Sequence, residues 1–165
     1  MRTVQGRGES SMPEHGEQGV LTARGTVYPW QCDHMGHMNV MWYVGKFDEG
    51  TWQLFALLGL TPTFLREHDR GMAAVQQELS YQREVRAGAV ISVYSRVLEV
   101  REKVIRFSHD MHHDETHELA ATTTITGVYL DTHLRKACAL PDDVRVLALQ
   151  FSQSHGGDEH PPDKP

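Results

Sequence analysis

The chain has 165 residues, with 16 Lys plus Arg against 22 Asp plus Glu and a formal net charge of -6. That suits one domain with a sizeable core and leaves no basic stretch for nucleic acid. Cys32 and Cys138 form no C-x-x-C pair, no early apolar run has signal-peptide character, and no apolar stretch reaches membrane-span length, so a soluble cytoplasmic protein is expected.

Residues 1–19 carry few strongly apolar side chains, and residues 151–165 have the same character. Neither buries enough surface to offset ordering entropy, so both are predicted to be disordered, flanking one domain over 20–150. Residues 20–28 read as a first strand that runs into the turn at Pro29. A polar segment containing Gln31, Cys32, Asp33, His34, Gly36, His37 and Asn39 follows. From Val40 onward the apolar residues Val40, Tyr43, Val44, Phe47, Leu54, Phe55 and Leu58 recur every three or four positions, which predicts a helix. Asn39 is its N-cap and Gly59 its terminator. Met41, Trp42, Trp52 and Leu57 put apolar surface on the other faces, so the helix is predicted to be largely buried. Gly45 and Gly50 are predicted to mark close approach of a neighbouring backbone.

Residues 61–69, with Pro62 close behind Gly59, predict a short second helix forming one wall of a pocket. Four strands follow. Residues 71–81 place Val75, Leu79 and Tyr81 on one face. Residues 89–100 are apolar on both alternations, as in a strand covered on both sides. Residues 104–111 place Ile105, Phe107 and Met111 on one face, and residues 119–130 are rich in Thr, Val, Ile and Tyr. A polar turn at 83–88 and short connections at 101–102 and 114–115 predict an antiparallel meander. An edge strand at 135–138 and a brief helix at 141–149 close the domain. One long helix against one curved antiparallel sheet is an α+β design, and its uncovered face and edges favour a homo-oligomer.

Asp33 precedes the helix, where free N–H groups and the positive end of the dipole gather. That setting keeps a carboxylate ionised and offers donors to an oxyanion, which suits acyl transfer, although Asp is also a common turn residue. The segment SHDMHHDETHE around His109, His112, His113 and His117 has a metal-like composition, but strand alternation sends neighbours to opposite faces. It reads as a solvated hairpin tip, and no metal site is predicted. Cys32 with His34 or His37 lacks the surroundings of a cysteine enzyme.

The pattern D-x-x-G-H-x-N followed by an aromatic-rich helix, here Asp33, Gly36, His37, Asn39 and Tyr43, resembles the 4-hydroxybenzoyl-CoA thioesterase branch of the hot-dog-fold acyl-CoA thioesterases. The order and length of elements agree from about 20 to 149. The resemblance implies a hot-dog fold, a curved antiparallel β-sheet wrapped around a long central α-helix. It implies hydrolysis of an acyl-CoA thioester with Asp33 as nucleophile or general base and the Val40 backbone N–H polarising the carbonyl.

A neighbouring branch of hot-dog thioesterases uses a helix carboxylate as nucleophile or base, so Asp48 or Glu49 is the alternative catalyst; relatives carry the longer Glu at the position of Asp48, which counts against a direct role for this shorter side chain. The shared G-H-x-N makes His37 a further catalytic candidate ranked below Asp33, although it is expected chiefly to hydrogen-bond the backbone and hold the turn, with Gly36 and Asn39 shaping it. Trp30, Trp42, Phe47, Trp52, Phe64 and Met72, with Tyr43, are the aromatic and apolar candidates for the acyl pocket. Arg83 and Arg86, with Arg101, Lys103 and Arg106, are candidates for the coenzyme A phosphates. No cofactor is implied beyond the coenzyme A of the substrate, and a homodimer or homotetramer is expected. The rivals are a hot-dog dehydratase or hydratase acting on a 3-hydroxyacyl thioester and a non-hydrolytic acyl-CoA or acyl-carrier binding module.

Overall fold

The computed structural model describes residues 19–154. The elements run β1 (Val20–Thr26), a single 3-10 turn (Pro29–Gln31), α1 (Val40–Leu57), α2 (Pro62–Glu67), β2 (Arg70–Tyr81), β3 (Val90–Val100), β4 (Val104–His113), β5 (Leu119–Asp131), β6 (Lys136–Ala137) and α3 (Asp142–Ser154). The strands form one antiparallel sheet in the order β1-β3-β4-β5-β2, with β6 also pairing β5. The meander therefore holds only for β3, β4 and β5. β2 pairs across the full length of β5 at the far edge, so the polar 82–89 connection spans the sheet and is not a hairpin.

The signals at both ends of α1 hold. Asn39 Oδ1 accepts from the Met41 N–H at 3.1 Å. At the other end Gly59 takes φ +86°, and two backbone bonds, Gly59 N–H to Ala56 O and Leu60 N–H to Phe55 O, close a Schellman motif. α2 is capped by Thr61, whose Oγ1 accepts from the Phe64 N–H at 3.1 Å.

The helix is not buried all round. Tyr43, Phe47, Gly50, Thr51, Leu54 and Phe55 face the sheet, while Val40, Met41, Val44, Trp52 and Leu57 remain exposed. Gly50 marks a close approach as expected, for a Cβ there would sit 3.1 Å from both Thr22 Oγ1 and Val93 Cγ1. Gly45 does not, having nothing within 4 Å.

Two strand readings are corrected by register. A bulge between Ala74 and Gln76 shifts the phase of β2, so Val75 projects into solvent at 62% exposure instead of sharing a face with Leu79 and Tyr81. β3 is covered mainly on one side: Ile91, Val93, Ser95 and Val97 are buried on the inner face, while on the outer face only Ser92 is buried and Tyr94 and Arg96 are half-buried, Arg96 pairing with Asp110. The core falls into two clusters under α1, one around Leu54, Phe55 and Phe107 and the other around Tyr43, Phe47 and Met111.

α3 closes the first cluster with Val144 and Ala148. It runs past residue 149 to Ser154, packing Phe151 against that cluster, so the predicted tail begins in helix. Residues 155–165 and 1–18 lie outside the described residues; Gly19 is buried.

Candidate active site at the N-terminus of the long helix

Residues 33–37 form a tight loop closed by an antiparallel bridge between Cys32 and Met38. Within it the Asp33 N–H donates to His37 O at 3.1 Å and the Gly36 N–H to Asp33 O at 3.0 Å. Gly36 sits at φ +83°, a conformation that costs a side-chain-bearing residue, and a Cβ there would meet nothing within 4 Å. Its conformation, and not crowding, calls for glycine. The Met38 N–H donates to Val85 O at 2.7 Å and the Asn39 N–H to Gln31 O at 2.9 Å, tying the loop to the 82–89 connection and to the 3-10 turn.

Asp33 Oδ1 accepts from the Met35 N–H at 2.9 Å and Oδ2 from Asn39 Nδ2 at 3.0 Å. The Met35 backbone bond first, then the Asn39 amide, hold its pKa below the ordinary 3.8. The carboxylate is therefore ionised at neutral pH. Asn39 does two jobs at once, capping α1 through Oδ1 and gripping Asp33 through Nδ2. The N–H of Val40, the first helical residue, has no hydrogen-bond acceptor among the described residues, which leaves it open to an oxyanion.

A groove of about 200 Å³ opens beside this helix end and brings together His37, Val40, Tyr43, Tyr81, Arg83 and Glu84. Tyr43 is buried and donates its hydroxyl to Arg83 O at 3.2 Å; burial raises its pKa, so it remains a neutral donor. His37 does not bond the backbone through its ring. Its Nε2 lies 3.3 Å from Glu84 Oε1 of the 82–89 connection, while its backbone carbonyl is what holds the turn.

Other predicted site residues lie elsewhere. Trp30 is 68% exposed and stacks on Tyr28, and Arg86 lines a separate recess with His113 and Glu115. Asp48 stands eight residues beyond Val40, about 12 Å along the helix. It lines a second cleft of about 110 Å³ between α1 and the β2 side of the sheet, with Thr51, Trp52, Met72, Gln77 and Phe107. Of the predicted acyl-pocket residues only Trp52 and Met72 line this cleft. Phe47 is core and Phe64 stacks on His68.

The metal-like segment is dispersed. His109 is fully buried on the inner face of β4, His112 meets Tyr94 edge-on, and only residues 114–117 form the hairpin tip. Among the described residues no group of three or more His, Cys, Asp or Glu is placed to hold a metal ion, and no helix is long and apolar enough to cross a membrane.

A curved antiparallel sheet around a long helix defines a hot-dog domain, with a carboxylate and an open N–H at that helix's N-terminus. The model of the thioesterase-like superfamily matches residues 27–147, and the chain belongs to that superfamily. No curated protein matches the sequence. Among solved structures, the chain is similar to a hypothetical protein of Staphylococcus aureus determined in complex with CoA. The TM-score is 0.80 at 18% identity, over 87% of this chain and 90% of that one. It is also similar to a 1,4-dihydroxy-2-naphthoyl-CoA thioesterase from Synechocystis, with TM-score 0.71 at 14% identity over 79% and 96% of the two chains. At such identities the likeness is one of fold.

Proposed function

We propose that the protein hydrolyses an acyl-CoA thioester to the free acid and coenzyme A at the N-terminus of α1. The observation that carries this reading is the double role of Asn39. One side chain holds the Asp33 carboxylate and caps the helix, so carboxylate and open Val40 N–H form one rigid unit. The thioester carbonyl sits on the Val40 N–H, which stabilises the oxyanion as it forms. Asp33 either adds to the carbonyl, giving a mixed anhydride that water then cleaves, or takes the proton from an attacking water. In both routes the thiolate of coenzyme A leaves unassisted, since a thiol of pKa about 8.5 is a good leaving group.

The exposed guanidinium of Arg83, which lies at the same groove with Glu118 at 3.6 Å, supports this residue over Arg86, in a different recess, as the partner of a coenzyme A phosphate. The Staphylococcus aureus relative determined with CoA and the naphthoyl-CoA thioesterase support coenzyme A as the carrier. No cofactor enters this chemistry. The free edge of β2 and the exposed apolar face of α1 support a homodimer or homotetramer, and the unpaired Cys32 and Cys138 suit a cytoplasmic protein.

Thiol release from short, branched, aromatic and long acyl-CoAs tests the reading. Wild type should hydrolyse one class, and Asp33→Asn should lose at least about a hundredfold in kcat/KM, or about 3 kcal/mol of transition-state stabilisation. Near-normal activity in Asp33→Asn would move the catalytic carboxylate to Asp48. Binding without thiol release would make the protein a carrier of acyl-CoA instead of a hydrolase.

A further inference from the structure

The inner face of the sheet is apolar except along one transverse row. Thr22 on β1, Ser95 on β3, His109 on β4 and Thr123 on β5 are all buried, and the register places Ser95 opposite His109 and His109 opposite Thr123. The row lies between the two apolar clusters, and α1 crosses it at Gly50 and Thr51. Thr22 enters the row through a bulge, the register stepping from Leu21 to Ala23. The helix comes close enough because residue 50 has no side chain.

The hydrogen bonds in this row run as one chain through the His109 ring: Nε2 lies 2.9 Å from Thr51 Oγ1, Nδ1 lies 2.6 Å from Ser95 Oγ, and Ser95 Oγ lies 2.5 Å from Thr22 Oγ1. Each end of the chain has a backbone acceptor, Phe47 O at 3.0 Å from Thr51 and Val93 O at 3.2 Å from Thr22. With one proton on each hydroxyl, a ring protonated at Nε2 leaves Thr51 donating to Phe47 O and Thr22 to Ser95, and a ring protonated at Nδ1 leaves Thr22 donating to Val93 O and Thr51 to Nε2. Either neutral tautomer bonds both ring nitrogens and all three hydroxyls. Phe47, stacked at 5.9 Å between centroids, and Phe107, edge-on at 5.3 Å, hold the ring from either side.

Apolar packing alone is non-directional and tolerates small rotations and slides of a helix. A satisfied buried network admits one setting. Thr51 lies one turn beyond Asp48 and three turns beyond Val40 on nearly the same face of α1, so whatever fixes Thr51 fixes both.

We propose that His109 is a positioning residue of the site: through the hydrogen bond between its Nε2 and Thr51 it sets the rotation and axial position of α1, and with them the aim of the Val40 N–H and of Asp48. This inference rests on the thioesterase reading above. A displacement of about 1 Å in such a donor costs up to about a hundredfold in rate, so a helix free to turn slightly would keep its fold and lose turnover.

Three variants test it. His109→Leu fills the space between the two rings without a polar group, and the remaining hydroxyls stay bonded, Ser95 donating to Thr22 and Thr22 to Val93 O at 3.2 Å. His109→Gln restores a polar amide near the Nε2 position. Thr51→Val removes the hydroxyl that bonds Nε2. With the acyl-CoA that wild type hydrolyses, at a temperature where all variants are folded by circular dichroism, His109→Leu and Thr51→Val should each lower kcat about tenfold with KM within about twofold. The double variant should be no worse than either single, because both remove the same bond, and His109→Gln should recover most of the loss.

Amide spectra give a readout independent of turnover: the Val40 and Asp48 N–H signals should move in His109→Leu and return in His109→Gln. A folded His109→Leu with wild-type kcat and unmoved Val40 amide overturns the proposal, as do losses that multiply in the double variant. A wild-type chain that releases thiol from no acyl-CoA overturns the hydrolase reading alone. The Val40 amide then decides positioning, for it or against it.

Discussion

At the scale of single residues, Asn39 is the joint between structure and chemistry. Asn39→Ala removes the cap acceptor and the donor to Asp33 together, so it should cost about 1 kcal/mol of stability and lower kcat as well. Asn39→Asp separates the two roles. It keeps an acceptor for the Met41 N–H but sets a second carboxylate against Asp33, which raises the Asp33 pKa. The acid limb of kcat/KM, expected below pH 3.8 in wild type, should then move upward; an unchanged limb would mean that Asp33 is not the group reporting there.

His109 controls a different pH dependence. Burial disfavours its imidazolium and lowers its pKa from 6.5 to about 4. The unfolded chain therefore takes up the proton first as pH falls. The stability this contributes is complete above pH 6.5 and is lost progressively toward pH 4, about 3 kcal/mol in all. Between pH 7 and pH 5 wild type should lose about 2 kcal/mol more than His109→Leu in urea unfolding. Equal losses would show that the ring titrates as it does in water.

At the scale of elements, the two glycines of α1 make opposite predictions from the same intrinsic propensity. Gly45→Ala meets open space and should raise stability by about 1 kcal/mol, the helix-propensity difference. Gly50→Ala gains the same term but drives a methyl within 3.1 Å of Thr22 Oγ1, held by Ser95, and of Val93 Cγ1, fixed in the sheet. Neither neighbour can yield cheaply, so the thermal midpoint should fall. In the strands, period-two alternation already set His109 between Phe107 and Met111, Ser95 between Val93 and Val97, and Thr123 between Ala121 and Ile125. Each of these polar positions was thus legible as inward-facing within its own strand, whereas their alignment in one row depends on the strand register.

At the scale of the molecule, the sheet ends at β2 in a long strand with one edge unpaired among the described residues, beside a helix face carrying Val40, Met41, Val44 and Trp52 in the open. If a second copy covers this edge, light scattering should give at least twice the chain mass. Val75→Lys, a charge placed on the exposed bulge, should then weaken association while circular dichroism stays unchanged. A monomeric wild type would overturn the oligomer and leave the cleft beside Asp48 open to solvent.

The sequence by itself determined what depends on neighbours along the chain. The N-cap at Asn39, the glycine stop at Gly59, the phase of β4 and β5, and the carboxylate just ahead of the helix all follow from local backbone chemistry and short-period patterning. The tertiary structure decided what depends on partners far apart in sequence. β2 lies beside β5 because strand pairing is chosen by the whole sheet, and the bulge at Val75 turns that side chain outward through a register that only its partner strand defines. The convergence of Thr22, Thr51, Ser95 and His109 spans some 90 positions of chain: alternation puts Ser95 and His109 on the inner faces of their strands, but only the pairing of the strands and the seating of α1 bring the four side chains into one hydrogen-bonded chain.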